Sequence, residues 1–218
     1  MERRLIQPFP SLQITVDAQR VKLISTHRWF ALSSALLGGG FTDFRSLFIY
    51  HVHKDYDHPE PWRHLLELSA DEQLPSPTIG LLTAASLDRT QVIQLGEGAL
   101  QVCALVTAGV SNATNAGITP PVMLRGAATI NLVLLVNHAL SPSAMVNAVI
   151  TVTEAKTDTL NRLGVKTPLG EVASGTSTDT VVIAHNGEGK PMPYAGPATN
   201  VGWMMAKAVR LALNQALK

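Results

Sequence analysis

Ile130-Asn131-Leu132-Val133-Leu134-Leu135-Val136 is the stretch that decides the fold. An apolar run of strand length without alternation is the pattern of a strand buried on both faces. Working outward, Ser141-Pro142 opens a helix, with Ser141 as N-cap and Pro142 at the first helical position, running to about Leu163 before Gly164. On the other side, Gln91 to Leu95 and Leu100 to Val106 flank Gly96-Glu97-Gly98 as a hairpin.

The same reading extends to both ends of the chain. Leu12 to Val16 and Val21 to Ser25 form a hairpin around a polar turn, and Leu47 to Val52, Thr78 to Thr83 and Thr180 to Ala184 read as strands. Trp29 to Leu37 is apolar and ends in Gly38-Gly39-Gly40, a turn or a point of close backbone approach. Pro59 and Pro61 precede Trp62 to Leu68, a short amphipathic helix. From Thr199 on, Val201, Met204, Met205, Ala208, Leu211 and Ala212 make an apolar helical stripe. The expectation is an α+β fold, one domain over residues 1–218, with a mixed, largely antiparallel sheet packed by helices near 141–163 and 199–217.

The chain has 218 residues, of which 46% are hydrophobic and 15% charged, against about 25% charged in ordinary globular chains. From Gly98 to Ile150 the ionisable side chains are Cys103, Arg125 and His138. Thr129 to Ile150 fails as a membrane span, because Asn131, Asn137, His138, Ser141, Pro142, Ser143 and Asn147 interrupt it. A net charge of +1 without a basic run argues against nucleic-acid binding. The N-terminal segment lacks the apolar core and cleavage site of a signal peptide, and the single Cys103 fits a reducing compartment.

Several segments carry residues suited to chemistry. Thr107-Ala-Gly-Val-Ser-Asn-Ala-Thr-Asn-Ala-Gly117 follows a strand and offers backbone N–H groups, hydroxyls and amides, or is an ordinary turn. Glu154 and Lys156 stand where the long helix leaves its uncharged half, two residues apart and so not facing each other. They mark a site or the solvent boundary. Gly175-Thr-Ser-Thr-Asp179 places an aspartate at the mouth of a strand, to hold a water or base, or to cap its loop. His51, His53, Asp55, Asp57 and His58 are metal-ligating types, but in a stretch that reads better as a solvated loop. His185 ends a strand as a base or a structural histidine.

Thr107-Ala-Gly-Val-Ser-Asn-Ala-Thr, Thr129-Ile-Asn131, Ala144-Met-Val with Val149-Ile-Thr-Val-Thr-Glu-Ala-Lys156, Gly175-Thr-Ser-Thr-Asp179 and Tyr194-Ala-Gly196 together resemble the CbiZ family of adenosylcobinamide amidohydrolases. The resemblance covers most of the chain and is strongest from Thr107 to Gly202; Ala128, Ser174 and Ser177 depart from the family's usual residues by small-for-small changes. It implies a cytoplasmic enzyme of corrinoid salvage for cobalamin biosynthesis. The reaction would convert adenosylcobinamide and water to adenosylcobyric acid and 1-aminopropan-2-ol. Its partner is a small-molecule corrinoid, not nucleic acid or membrane, and a homo-oligomer is possible. No cofactor is expected because the cobalt arrives inside the substrate; whether another metal is needed stays open.

Within that resemblance the candidate catalytic residues are Glu154, Asp179, Lys156 and Ser111. Asp179 or Glu154 would be the general base on water, Lys156 would balance charge, and the backbone of Gly109 to Asn112 with the Asn112 amide would hold the oxyanion. A covalent route would instead use Ser111 or Thr107. Candidate substrate-binding residues are Thr107, Gly109, Asn112, Thr129, Asn131, Thr176, Thr178 and Tyr194. A reading of another class is a corrinoid-binding protein without hydrolytic activity.

Overall fold

The computed structural model describes residues 3–121 and 128–218; Arg125 therefore lies outside the described residues. A large mixed sheet is built from β1 (Arg4–Phe9), β2 (Leu12–Val16), β3 (Arg20–Ser33), β4 (Gly40–His51), β5 (Thr78–Thr83), β6 (Gln91–Glu97), β7 (Leu100–Ala108), β9 (Ile130–Val136) and β11 (Thr180–His185). Two-residue strands β8 (Ala113–Thr114) and β10 (Gly175–Thr176) pair separately. The helices are α1 (Pro61–Asp71), α2 (Pro142–Arg162) and α3 (Asn200–Ala216).

The main path runs β1-β2-β3-β11-β9-β7-β6, with β4 on the other edge of β3 and β5 beyond β4. Its neighbours pair antiparallel except β4 with β5 and β9 with β11. This is the expected α+β class, with parallel pairing where chain crosses over through α1 and α2. The sheet curls nearly into a barrel. Its two ends approach through side chains: Arg4 Nη2 donates to the Thr90 carbonyl at 2.8 Å and Gln94 Nε2 to the Pro8 carbonyl at 2.7 Å.

Curling explains the apolar run of β9, broken only by Asn131 and buried at every residue. Ile130, Leu132, Leu134 and Val136 face α2 and α3, whereas Val133 and Leu135 face the interior of the curl with Cys103, Leu105, Val182 and Ala184. The period of two still assigns the faces, but both are covered. On the helical side Ala144, Ala148, Val152 and Ala155 of α2 meet Val201, Met205, Ala208 and Ala212 of α3 over that sheet. Fully burying each of the larger of these side chains stabilises the fold by about 1.5–3 kcal/mol.

The helix boundaries follow from their caps. Ser141 Oγ accepts from Ala144 N–H at 3.1 Å, with Pro142 beginning α2. Thr199 Oγ1 accepts from Gly202 N–H at 3.1 Å at the start of α3. Upstream the structure departs from the sequence reading. β1 has no counterpart there, and Trp29 to Ser33 continues β3 into the neighbourhood of β11. An irregularity between Ile24 and Trp29 breaks the alternation on which the sequence reading depends. None of the helices described is long and apolar enough to cross a membrane.

Candidate active site

Asp179 stands immediately before β11, at the end of the sheet where β9 begins and β5 and β7 finish. Its carboxylate is the meeting point of several elements. Oδ1 accepts from Thr176 Oγ1 at 2.5 Å and from the N–H groups of Ile130 and Thr176, each at 3.2 Å. Oδ2 accepts from Lys156, which reaches it from α2 as an ion pair. The two side chains are only 10% (Lys156) and 14% (Asp179) exposed. A charge pair so far removed from water is stabilised when further hydrogen bonds accompany it, and here the Thr176 and Ile130 donors supply them.

Gly175 makes room for the pair. A Cβ at this position would lie 2.6 Å from Lys156 Nζ and closer still to Asp179 Oδ2. The glycine is fixed by β10 pairing with β8, Gly175 opposite Thr114 and Thr176 opposite Ala113. Ser174 N–H donates to the Thr114 carbonyl at 2.8 Å, and Asn112 Nδ2 donates to Ser177 Oγ at 2.7 Å. Two loops some sixty residues apart in the chain thus form one structure around the carboxylate.

Asp179 opens onto a cavity of about 420 Å³. Thr129, Thr178 and Thr180 line it beside the carboxylate; Ser34, Ala35 and Leu36 follow β3, Leu81 to Thr83 end β5, and Val52, Tyr56 and Pro61 precede or open α1. The threonines are committed to the wall: Thr129 Oγ1 donates to the Thr178 carbonyl at 2.7 Å, and Thr178 Oγ1 to the Ala128 carbonyl at 3.2 Å. The result is a mostly apolar concavity with one carboxylate held at its wall, the general form of a small-molecule site.

The profile of the CbiZ family, described as adenosylcobinamide amidohydrolase, matches residues 8–218. The chain belongs to the CbiZ family. It is 29% identical over 198 residues to an adenosylcobinamide amidohydrolase of Methanosarcina mazei, covering 87% of this chain and 90% of that one. A second adenosylcobinamide amidohydrolase, from Halobacterium salinarum, is 31% identical over 144 residues, 63% of this chain and 57% of its own. An uncharacterized protein of Methanocaldococcus jannaschii is 41% identical over 91 residues, 41% of this chain and 35% of its own. Membership in CbiZ makes this chain a hydrolase acting on an amide bond.

This CbiZ structure brings together Lys156, Thr176 and Asp179, with Thr129 and Thr178 on the adjoining wall. It separates Glu154 from them. Glu154 is exposed while Lys156 is buried, because residues two apart on an α-helix differ by roughly 200° in direction. Glu154 therefore stands apart from the Lys156–Asp179 cluster. Thr107 is buried and accepts from Asn131 Nδ2 at 3.1 Å. Ser111 is exposed on its turn. A Cβ at Gly109 would lie 3.0 Å from that of Ala85, and its N–H donates to the Thr129 carbonyl at 3.0 Å, so that N–H is spent on the fold and not held for an oxyanion. Asn131 is fully buried and also donates to the Leu82 carbonyl at 3.3 Å.

Tyr194 also stands apart from the cavity beside Asp179. It is 67% exposed and belongs to a separate pocket with Leu100, Pro193 and Val201. Its motif serves helix packing: the Ala195 carbonyl accepts from Thr151 Oγ1 at 3.1 Å, and the Gly196 carbonyl from Thr199 Oγ1 at 2.8 Å. His185 lies at the opposite end of β11 from Asp179, buried against Phe30 with ring centroids 5.5 Å apart, and burial lowers its pKa. The histidines and aspartates of residues 51–58 do not converge: His51 Nδ1 meets the Ala85 carbonyl at 3.1 Å, and His53 pairs with Asp55 in solvent. Among the described residues no group of three or more His, Cys, Asp or Glu side chains is placed to hold a metal ion.

Sequence reasoning missed the wall formed by Ser34 to Leu36, Val52 and Tyr56. The glycines at 38–40 were the available signal: Leu37 bridges to Gly80, folding this segment back over β5. Nothing in the sequence connected it with Asp179.

Proposed function

We propose that this protein hydrolyses the amide between the propionate-derived carboxyl of adenosylcobinamide and its aminopropanol, releasing adenosylcobyric acid and 1-aminopropan-2-ol within corrinoid salvage. The observation that carries the reading is the buried Lys156–Asp179 pair facing a cavity in a CbiZ chain. Asp179 takes a proton from water as the water oxygen attacks the amide carbon, and returns it to the nitrogen as the C–N bond breaks. Lys156 positions the carboxylate and balances its charge, and Thr176 fixes its rotamer.

A second reading has its own observation. The 2.5 Å bond from Thr176 Oγ1 to Asp179 is the arrangement of a hydroxyl activated by a neighbouring base. Thr176 would then form an ester with the corrinoid acid, expel aminopropanol, and be released by water. Purified protein and adenosylcobinamide, with both products followed by mass spectrometry, test the activity; absence of cobyric acid formation overturns it. Thr176→Val then separates the routes. Residual turnover within about tenfold of wild type supports activated water, since general-base catalysis resides in Asp179, whereas complete loss with hydroxylamine-trappable acyl-enzyme in the wild type supports the ester.

A further inference from the structure

We infer that the corrin macrocycle is received outside the cavity, on a cluster of rings formed by Tyr56, His58 and His64 with Leu36 as a second wall, while only the amide arm passes inward to Asp179. The inference rests on the function proposed above.

Size sets the starting point. At about 420 Å³ the cavity lies near the lower end of the roughly 300–1,000 Å³ that encloses a drug-sized ligand. A corrin ring with its peripheral amides is bulkier than such a ligand, whereas one propionamide arm is much smaller. The macrocycle must therefore rest on the rim.

Tyr56 belongs both to the cavity wall and to the ring cluster. Its ring is 6.2 Å from His58 at 14° and 5.7 Å from His64 at 20°, and His58 is 5.2 Å from His64 at 20°. In a column of three parallel rings the outer pair would be about twice as far apart as neighbours. Three similar separations instead describe a compact patch of near-parallel π surface. It is held in place by the Tyr56 hydroxyl with His64 Nδ1 at 2.9 Å and by Glu60 N–H donating to His58 Nδ1 at 3.0 Å. Leu36, 59% exposed, adds apolar surface from the segment after β3.

Such surface matches a broad, conjugated and largely uncharged macrocycle through stacking and dispersion. It does not supply a ligand to cobalt through His58. Because His58 Nδ1 accepts a backbone N–H, the neutral ring carries its proton on Nε2, which then presents a donor and no lone pair.

The test compares wild type, His58→Ala, Tyr56→Ala and Leu36→Ser on adenosylcobinamide, with circular dichroism to verify folding and inhibition by cobyric acid measured in parallel. Because His58 and Leu36 are exposed, their variants remain informative if Tyr56→Ala does not fold. The expected result is KM raised about fivefold or more with kcat within about twofold, and the inhibition constant of cobyric acid raised by a similar factor. Wild-type turnover with KM unchanged in His58→Ala and Leu36→Ser overturns the inference and leaves the proposed activity standing. No wild-type turnover overturns both. An imidazole-ligated visible spectrum of bound aquocobinamide that disappears in His58→Ala overturns the stacking role in favour of coordination.

Discussion

Lys156 of α2 and Asp179 before β11 form a nearly buried ion pair across 23 residues of sequence, the one supplied by a helix and the other by the loop that leads into β11. Removing one partner leaves the other charged and desolvated, at a cost of about 3–5 kcal/mol. Asp179→Asn and Lys156→Met should each lower thermal stability and abolish turnover. The double variant should recover much of the stability while remaining inactive. Recovery of turnover in the double variant would show that the pair is structural alone.

Gly175→Ala places a methyl against both members of the pair. The backbone there is locked by pairing with β8, so the side chains must yield. Turnover should fall by about a hundredfold or more, comparable with loss of a group stabilising the transition state, while thermal stability falls less than in Asp179→Asn. Wild-type turnover in this variant would place the pair outside the chemistry.

Glu154 tests the opposite case. It projects from α2 into solvent, so Glu154→Ala should leave kcat within about twofold and stability within the ±0.5 kcal/mol usual for surface changes. A large loss of kcat would contradict the placement of the base at Asp179.

Burial lowers the pKa of His185 below its ordinary 6.5. The unfolded chain consequently takes up a proton that the native chain refuses, so this residue's contribution is intact above about pH 6.5 and declines as pH falls toward the folded-state value. The melting temperature should drop between pH 7 and 5.5. His185→Asn retains an acceptor for the Gly187 N–H, which donates to Nδ1 at 3.1 Å in the wild type, and should flatten that slope even if its melting temperature is lower throughout. An unchanged slope would assign the pH dependence elsewhere.

Cys103 points into the curled sheet, fully buried, and burial pushes its thiol up to about 12. Because the thiolate is the reactive form, iodoacetamide at pH 8 should leave native protein unmodified and label it in denaturant. Rapid labelling of native protein, read by mass spectrometry, would refute this burial.

Much of the architecture was legible because it depends on local rules. Ser141-Pro142 and Thr199 start helices by hydrogen bonds made within one turn, and Gly98, with φ of 59°, turns the β6–β7 hairpin as a glycine can. The continuation of β3 past residue 25 was hidden because its irregularity shifts the apolar alternation. Lys156 and Asp179 were recognisable as candidates by type and position. The packing role of Ala195 and Gly196 beside Tyr194 was not legible, because carbonyls that accept from Thr151 and Thr199 leave no mark in the sequence.

The sequence by itself determined the α+β class, the caps, the doubly buried strand at Ile130 to Val136 and, through its ordered blocks, the resemblance to CbiZ. These are properties of adjacent residues, set by periodicity and backbone hydrogen bonding. Only the tertiary structure decided that Asp179 is joined to Lys156 rather than accompanied by Glu154, and that Gly175 is the space in which they meet. The physical reason is that an ion pair depends on direction and desolvation. Rotation along α2 and the pairing of β8 with β10 fix those only after the distant segments have packed.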